Sequence, residues 1–417
     1  MKYDICVVGL GYIGLPTASI FATHGKRVYG LEVNPEVVKT VNAGKIHIVE
    51  ADLDVLVRAA VQSGNLVAGT EAVEADCFIL AVPTPFQRGS SQVPAPDVSY
   101  IERACRTIAA RVRPGNLVIL ESTSPVGTTE KVRDWILDER RKVGASPRKP
   151  ATADLLFAHC PERVLPGQLL QELVTNDRIV GGLTPAATTA ARRLYETFCT
   201  GEILTTDART AELAKLAENA YRDVNIAFAN ELSLICAELK LNVWELIKLA
   251  NHHPRVKILQ PGPGVGGHCI AVDPWFIVDA APRCTPLIRA ARGVNDGKPR
   301  HVVAQVKAAA ARHRAPVIAC LGLAFKANID DLRESPALEI VRELAAEKVG
   351  RLLVVEPHIT TLPPVLARGG RVELVRLPEA LRAADIVVVL VNHRPFLVVK
   401  KSALAGKTVI DTRGIWS

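Results

Sequence analysis

Apolar residues recur along the chain in two alternating rhythms. Short continuous runs at 5–8, 28–31, 77–82, 117–120 and 179–180 have the length of buried strands, and helical stretches such as 101–112 separate them. Such alternation predicts a parallel, doubly wound sheet. From 208 to 239 the rhythm becomes one long helix, in which Leu213, Leu216, Ala220, Val224, Ala227, Leu232 and Ile235 recur at three- and four-residue spacing. A further helix at 242–250 is expected beside it. After a Pro/Gly-rich stretch at 254–274 and a helix near 287–294, strand-like runs return at 317–323, 352–355, 386–391 and 408–410.

This order predicts an α/β protein with two Rossmann-like, doubly wound parallel-sheet domains joined by a central helical domain built on a long spine helix. The expected divisions are 1–207, 208–297 and 298–417, the first and last each a strand–glycine–helix nucleotide module. The spine helix has more apolar surface than one lobe covers, which predicts pairing with its copy in a two-fold homodimer.

Composition narrows the class. At 417 residues, 48% hydrophobic and 23% charged, the chain has the profile of a globular protein with more than one core. No apolar stretch reaches the roughly 18 residues of a membrane helix, and the first apolar run lacks a small-residue cleavage site, so cytoplasmic residence is the expectation. A surplus of 51 Lys and Arg over 43 Asp and Glu, net +8, favours anionic ligands. Aromatic residues are only 5%, and the densest basic run, Arg140-Arg141-Lys142 near Pro147 and Pro150, is short, so nucleic acid is not an expected partner. Nine cysteines without CxxC pairing argue against both disulfides and zinc. The adjacent His252 and His253 have no acidic or cysteine partner at ligand spacing, so no metal is expected. Eight cysteines read as small buried hydrophobes; Cys269 does not.

Gly9, Gly11 and Gly14 form a G-x-G-x-x-G that follows the first strand and opens a helix near Leu15-Pro16. Such glycines permit a tight turn and let backbone N–H groups reach a pyrophosphate at a helix N-terminus. About 18 residues after Gly14 the second strand ends in Glu32, the acid expected to hold a ribose 2′-hydroxyl. A carboxylate there repels a 2′-phosphate, so the expected cofactor is NAD.

The segment 261–274 reads as a loop, and Cys269 within it has glycines nearby that let a thiol meet a ligand. Exposure, cations and a helix N-terminus are the means of lowering such a thiol's pKa. Lys215, Asn219 and Arg222 share one face of the spine helix. With Asp223, Asn225, Asn230 and Glu231, they suggest a helix set against a wet cavity. A lysine, an amide and a thiol beside a nicotinamide point to an alcohol oxidised through an aldehyde to an acid. The thiolate would capture the aldehyde as a thiohemiacetal, a second hydride would leave a thioester, and water would release the carboxylate. Lys215 and Asn219 would stabilise the oxyanion, and Lys215 or a water held by Asp273 would handle the proton.

Longer strings resemble a known family. GLGYIGLPTA (9–18), AVPTPF (81–86), ESTSPVGTTE (121–130), CPERVLPG (160–167), the segments 210–237 and 242–278, and GLAFKANIDDLRESPA (322–337) are similar to the UDP-glucose/GDP-mannose dehydrogenase family of UDP-sugar 6-dehydrogenases. The resemblance implies NAD-dependent, four-electron oxidation at a sugar C6, for polysaccharide biosynthesis. Its closest form implies UDP-N-acetyl-D-mannosamine as substrate and UDP-N-acetyl-D-mannosaminuronate as product, with UDP-N-acetylglucosamine and UDP-glucose as alternatives. It implies that Tyr12, Ile13, Glu32, Thr84, Thr123, Thr129 and Arg333 touch the cofactor. Cys269 becomes the nucleophile, Lys215 the acid/base and Glu162 the group assisting thioester hydrolysis. UDP-sugar contacts fall on Arg163, Val164, Asn219, Arg222, His253, Arg255, Gly266, Phe325, Lys326 and Arg413. Glu32 stands where aspartate is usual and Arg413 where lysine is common; both keep the charge. The competing class is a nucleotide-sugar-binding protein without redox turnover, but the Tyr-x-x-x-Lys pair of an epimerase is not found, and such a protein has no use for Cys269.

Overall fold

The computed structural model describes residues 2–48, 50–87, 94–142, 155–164, 168–267, 269–367 and 370–416. Pro147, Pro150, residues 165–167 and His268 lie outside them. The chain packs as two compact units, one of residues 1–218 with 275–282, the other of 219–274 with 283–417.

In the first unit eight strands form one sheet. They are β1 Tyr3–Val8, β2 Val28–Leu31, β3 Leu66–Gly69, β4 Ala75–Leu80, β7 Leu117–Leu120, β8 Leu156–His159, β9 Arg178–Gly182 and β10 Ile203–Asp207, with a two-residue hairpin, β5 Phe86–Gln87 and β6 Ala95–Pro96, beside them. The order β10-β9-β8-β7-β4-β1-β2-β3 puts a switch point between β1 and β4, where an open α/β sheet binds its ligand. Both faces are covered: Ile5 and Val7 enter one apolar cluster, Cys6 and Val8 the other. The sheet departs from the all-parallel expectation at one joint, since β9 runs antiparallel to β8.

The second unit holds a parallel five-stranded sheet, β11 Val317–Leu321, β12 Arg351–Val355, β13 Val372–Leu374, β14 Ile386–Val389 and β15 Thr408–Asp411, in the order β13-β12-β11-β14-β15. It repeats the winding of the first. Gly9 (φ 90°) after β1 and Gly322 (φ 98°) after β11 make the same left-handed step.

The spine helix spans Ala208–Leu239, and Asn242 caps the next helix, Val243–Ala250. Three expectations are corrected. Asp273 and Pro274 are not loop but open the helix Asp273–Ala280. The helix near 287 does not stop at 294; it runs Pro286–Ala310 through Pro299, because Ala291, Val302, Val303 and Val306 continue a buried stripe. Of the polar residues of the spine helix, Asp223 and Asn230 meet a packed network rather than a wet cavity, whereas Arg222 and Glu231 are exposed. Asp223 pairs with Arg292 at 2.7 Å and accepts from Asn295 at 2.7 Å, while Asn230 donates to Asn295 at 2.8 Å, all four buried. Among the described residues no helix is long and apolar enough to cross a membrane.

The cysteines also divide differently. Six are buried, whereas Cys199 and Cys269 are half-buried and Cys284 is exposed. Burial pushes the Cys6 and Cys320 thiols up to about 12, so they remain thiols.

Candidate active site

In the first unit the glycine loop is shaped by contacts that admit no side chain. A Cβ on Gly14 would lie 1.8 Å from the Gly9 carbonyl oxygen, and one on Gly9 would lie 2.8 Å from that of Ala81. Gly11 is different: a Cβ there would meet nothing within 4 Å, so the protein's own packing leaves the space a pyrophosphate needs beside the main chain. The helix Gly14–Thr23 begins at Ile13 without a side-chain cap, so no side chain of its own covers its N-terminus, although the Leu15 amide is taken by the Gly11 carbonyl at 3.1 Å and Pro16 has no N–H. Glu32 braces the loop, accepting the Leu10 amide at 3.0 Å and the Asn34 amide at 3.1 Å, and stays half-exposed with lone pairs left for a ribose. These features fit an NAD. Tyr12 is exposed, and Ile13, Thr84 and Thr123 are half-buried. Thr129 is buried, and its hydroxyl donates to Glu212 at 2.6 Å, so what remains for a ligand is a lone pair.

Beside the cofactor helix lies a buried charge cluster. Glu162 accepts the Arg163 amide at 2.7 Å on one oxygen and Arg178 Nη2 at 3.0 Å on the other. Arg178 lies over the Tyr195 ring, 4.6 Å from its centroid, and 3.9 Å from Glu121. Glu121 accepts from Thr17 and Tyr195, both at 3.1 Å. Burial, with the Glu162 charge adding, pushes the Glu121 carboxyl up to about 7 against the pull of Arg178, Tyr195 and Thr17. Arg163 pairs with Glu218 at 3.0 Å, and Val164 is half-buried. Lys215 is half-buried; burial pushes nearby His159 down to about 3, the Lys215 charge adding to it, so that ring stays neutral.

In the second unit the glycine-rich loop is fastened on several sides. Gly262 donates to Asn230 at 2.9 Å, and a Cβ there would meet Arg413 Nη1 at 2.7 Å. The Gly267 amide donates to the Arg333 carbonyl at 3.3 Å, and a Cβ on Gly266 or Gly267 would strike Phe325 at 2.9 Å. Phe325, Arg413 and the loop are thereby brought together. Cys269 sits one turn ahead of the helix Asp273–Ala280: its carbonyl accepts the Asp273 amide at 2.8 Å, and buried Asp273 accepts Asn219 Nδ2 at 2.5 Å. The Cys269 backbone, Asp273 with its carboxylate and the Asn219 amide thus share one chain of contacts. Desolvation, outweighing Asp411, draws Arg413 down to about 10, which leaves it cationic at neutral pH. Lys326, Arg222, His253 and Arg255 are exposed, and Arg333 makes a bidentate pair with Asp331 at 2.6 and 2.9 Å.

Sequence reasoning missed Glu121, Arg178, Glu212, Glu356 and His393. A signal existed for Glu121 and Glu356, each a lone acid closing an apolar strand as Glu32 does.

Sequence profiles of one family, UDP-glucose/GDP-mannose dehydrogenase, match three blocks: its NAD binding domain at 3–199, its central domain at 209–297 and its UDP binding domain at 319–417. The chain is 59% identical over 413 residues to an NDP-N-acetyl-D-galactosaminuronic acid dehydrogenase of Ralstonia nicotianae, covering 99% of this chain and 96% of that one. It is 54% identical over 420 residues to the UDP-N-acetyl-D-mannosamine dehydrogenase of Escherichia coli, covering 99% of each. The solved UDP-D-ManNAc dehydrogenase of Pyrococcus horikoshii superposes with a TM-score of 0.87 at 38% identity, covering 100% of this chain and 96% of that one.

Proposed function

The chain belongs to the UDP-glucose/GDP-mannose dehydrogenase family, and on that premise we propose that it oxidises UDP-N-acetyl-D-mannosamine at C6 to UDP-N-acetyl-D-mannosaminuronate. The observation that carries the chemistry is the tie between the fastened glycine loop and the spine helix: the Cys269 carbonyl holds the Asp273 amide, and Asp273 accepts from Asn219. Bound NAD supplies the hydride acceptor. Lys215 takes the hydroxyl proton in the first oxidation. The Cys269 thiolate then adds to the C6 aldehyde, Lys215 and Asn219 steady the oxyanion, and loss of a second hydride leaves a thioester. Glu162, fixed through both oxygens, directs water onto the acyl carbon, and the C–S bond breaks to return the thiol. The balance is one alcohol, one water and two NAD+ to one carboxylate, two NADH and three protons. The working division is 1–207 for NAD, 208–297 for the thiol loop and 298–417 for the UDP-sugar, with Phe325, Lys326 and Arg413 on the diphosphate side.

The galactosaminuronic acid relative favours a second reading, in which the sugar is N-acetylgalactosamine, differing at C2 and C4, and the chemistry is unchanged. NADH counted per uronate, with UDP-N-acetyl-D-mannosamine, UDP-N-acetylgalactosamine, UDP-N-acetylglucosamine and UDP-glucose in parallel, separates them. Two NADH per uronate and preference for the mannosamine sugar is the expected result. One NADH per turnover removes the thioester route, and preference for another sugar removes the substrate assignment.

The protein is further proposed to act as a homodimer through the spine helix. Tyr221 (73% exposed), Phe228 (54%) and Ile235 recur every seven residues, and Leu239, Leu246 and Leu249 extend the apolar surface. Light scattering at micromolar concentration is expected to give twice the chain mass; a monomer overturns it.

A further inference from the structure

The loop after β11 carries Phe325 and Lys326, and two buried side chains outside the proposed chemistry set its path. Glu356 follows β12 directly. Its Oε2 accepts the Leu323 amide at 2.7 Å and the Ala324 amide at 3.1 Å, and its Oε1 accepts the His358 amide at 3.2 Å. His393, two residues beyond Val391 on the adjoining β14 side, is fully buried, with Nε2 3.0 Å from Glu356 Oε2. Its Nδ1 accepts the Asn328 amide at 2.9 Å. A backbone amide only donates, so Nδ1 carries the lone pair and the ring proton sits on Nε2, aimed at Glu356. Although burial opposes the charge, His393 and the Leu323 and Ala324 amides hold the Glu356 carboxyl below the usual range. Asn328 is itself held in the left-handed region (φ 63°), and its Oδ1 accepts the Arg394 amide at 3.0 Å. The pair therefore pins the backbone at 323, 324 and 328, on both sides of Phe325 and Lys326.

Glu356, His358 and His393 bring possible metal-ligand atoms within 4.8 Å of one another. The His393 ring, however, has given its lone pair to Asn328 and its proton to Glu356, which leaves nothing for a cation.

We propose that Glu356 and His393 are positioning residues for the UDP-binding segment, holding Phe325 and Lys326 in the path that receives the uridine diphosphate. This rests on the reading of those two residues as UDP contacts. The pair acts on substrate affinity and leaves the cofactor site alone.

Two substitutions divide the ring's roles. His393→Asn keeps an acceptor at the Nδ1 position and loses the donor to Glu356; His393→Gln keeps the donor and loses the acceptor for Asn328. Calorimetry with UDP is expected to show weakening by about three-fold for each and about ten-fold or more for His393→Ala, as single and paired hydrogen bonds are lost. NAD affinity is expected to stay unchanged, and the UDP-sugar KM to rise while kcat holds within about two-fold. If the alanine variant fails to fold, the other two carry the test. Unchanged UDP affinity in Asn and Gln variants with lowered melting temperatures overturns the proposal in favour of a purely structural pair. Loss of wild-type UDP affinity on chelation, restored by zinc, overturns it in favour of a metal centre. A wild type that binds UDP yet oxidises no UDP-sugar defeats the proposed function alone, and one that does not bind UDP defeats both.

Discussion

Cys269→Ser is expected to bind NAD and UDP-sugar like the wild type while uronate formation falls by about 10⁴-fold. The carbonyl of residue 269 accepts the Asp273 amide whichever side chain is present, so the loop and the Asn219–Asp273 contact survive the exchange. What is lost is the sulfur, since a hydroxyl at the same point is a far weaker nucleophile at neutral pH and forms an ester rather than a thioester. The measurement is steady-state NADH release with mass spectrometry of the quenched protein. Cys284→Ser is the control: that thiol is exposed and is expected to leave the rate unchanged. Retention of more than about a tenth of the activity by Cys269→Ser removes the thiol from the mechanism.

Glu162→Gln is expected to separate oxidation from hydrolysis. Both hydrides leave in a burst of two NADH per active subunit, the acyl group stays on Cys269 as a mass increase, and turnover then falls by about 10²- to 10³-fold. The site punishes the amide because both Glu162 oxygens receive N–H donors, from Arg163 and Arg178, so one of those donors must face the amino group of the new side chain. A slow variant with no burst and no adduct moves the hydrolytic role elsewhere. A second readout comes from Glu121. Its folded pKa, about 7, lies above the ordinary carboxylate value, so its contribution is complete below that ordinary value and is lost as pH rises through about 7. The melting temperature of the wild type should therefore carry a decline across that window. Removing the Glu162 charge lowers the Glu121 pKa, and the decline should be shallower in Glu162→Gln.

Much of this molecule was legible in its sequence because buried strands and long helices announce themselves by period. The strands 28–31 and 117–120 and the spine helix 208–239 fall where the pattern put them. The Pro286–Ala310 helix runs past the expected end near 294 although Gly293, Gly297 and Pro299 weaken it locally; the buried apolar residues beyond Pro299 outweigh that local preference. The antiparallel β8–β9 joint carries no local mark, as direction is set by the connection rather than by the strand. Of the candidate site, the glycine loop, Glu32 and the thiol loop could be read from spacing and glycine content. Arg178 and Glu212 could not, because their meaning arises only where distant segments bring a charge into a buried setting.

The two nucleotide modules place an acid at the same station, Glu32 after β2 and Glu356 after β12, yet spend it differently. Glu32 gives each oxygen a single amide and keeps one side open to solvent; Glu356 is enclosed by three amides and an imidazole. An inhibitor built to hand a ribose diol to such a carboxylate accordingly finds room at Glu32 and none at Glu356. On the proposed reading, a compound selected against the second module wins its selectivity from Phe325, Lys326 and Arg413 instead.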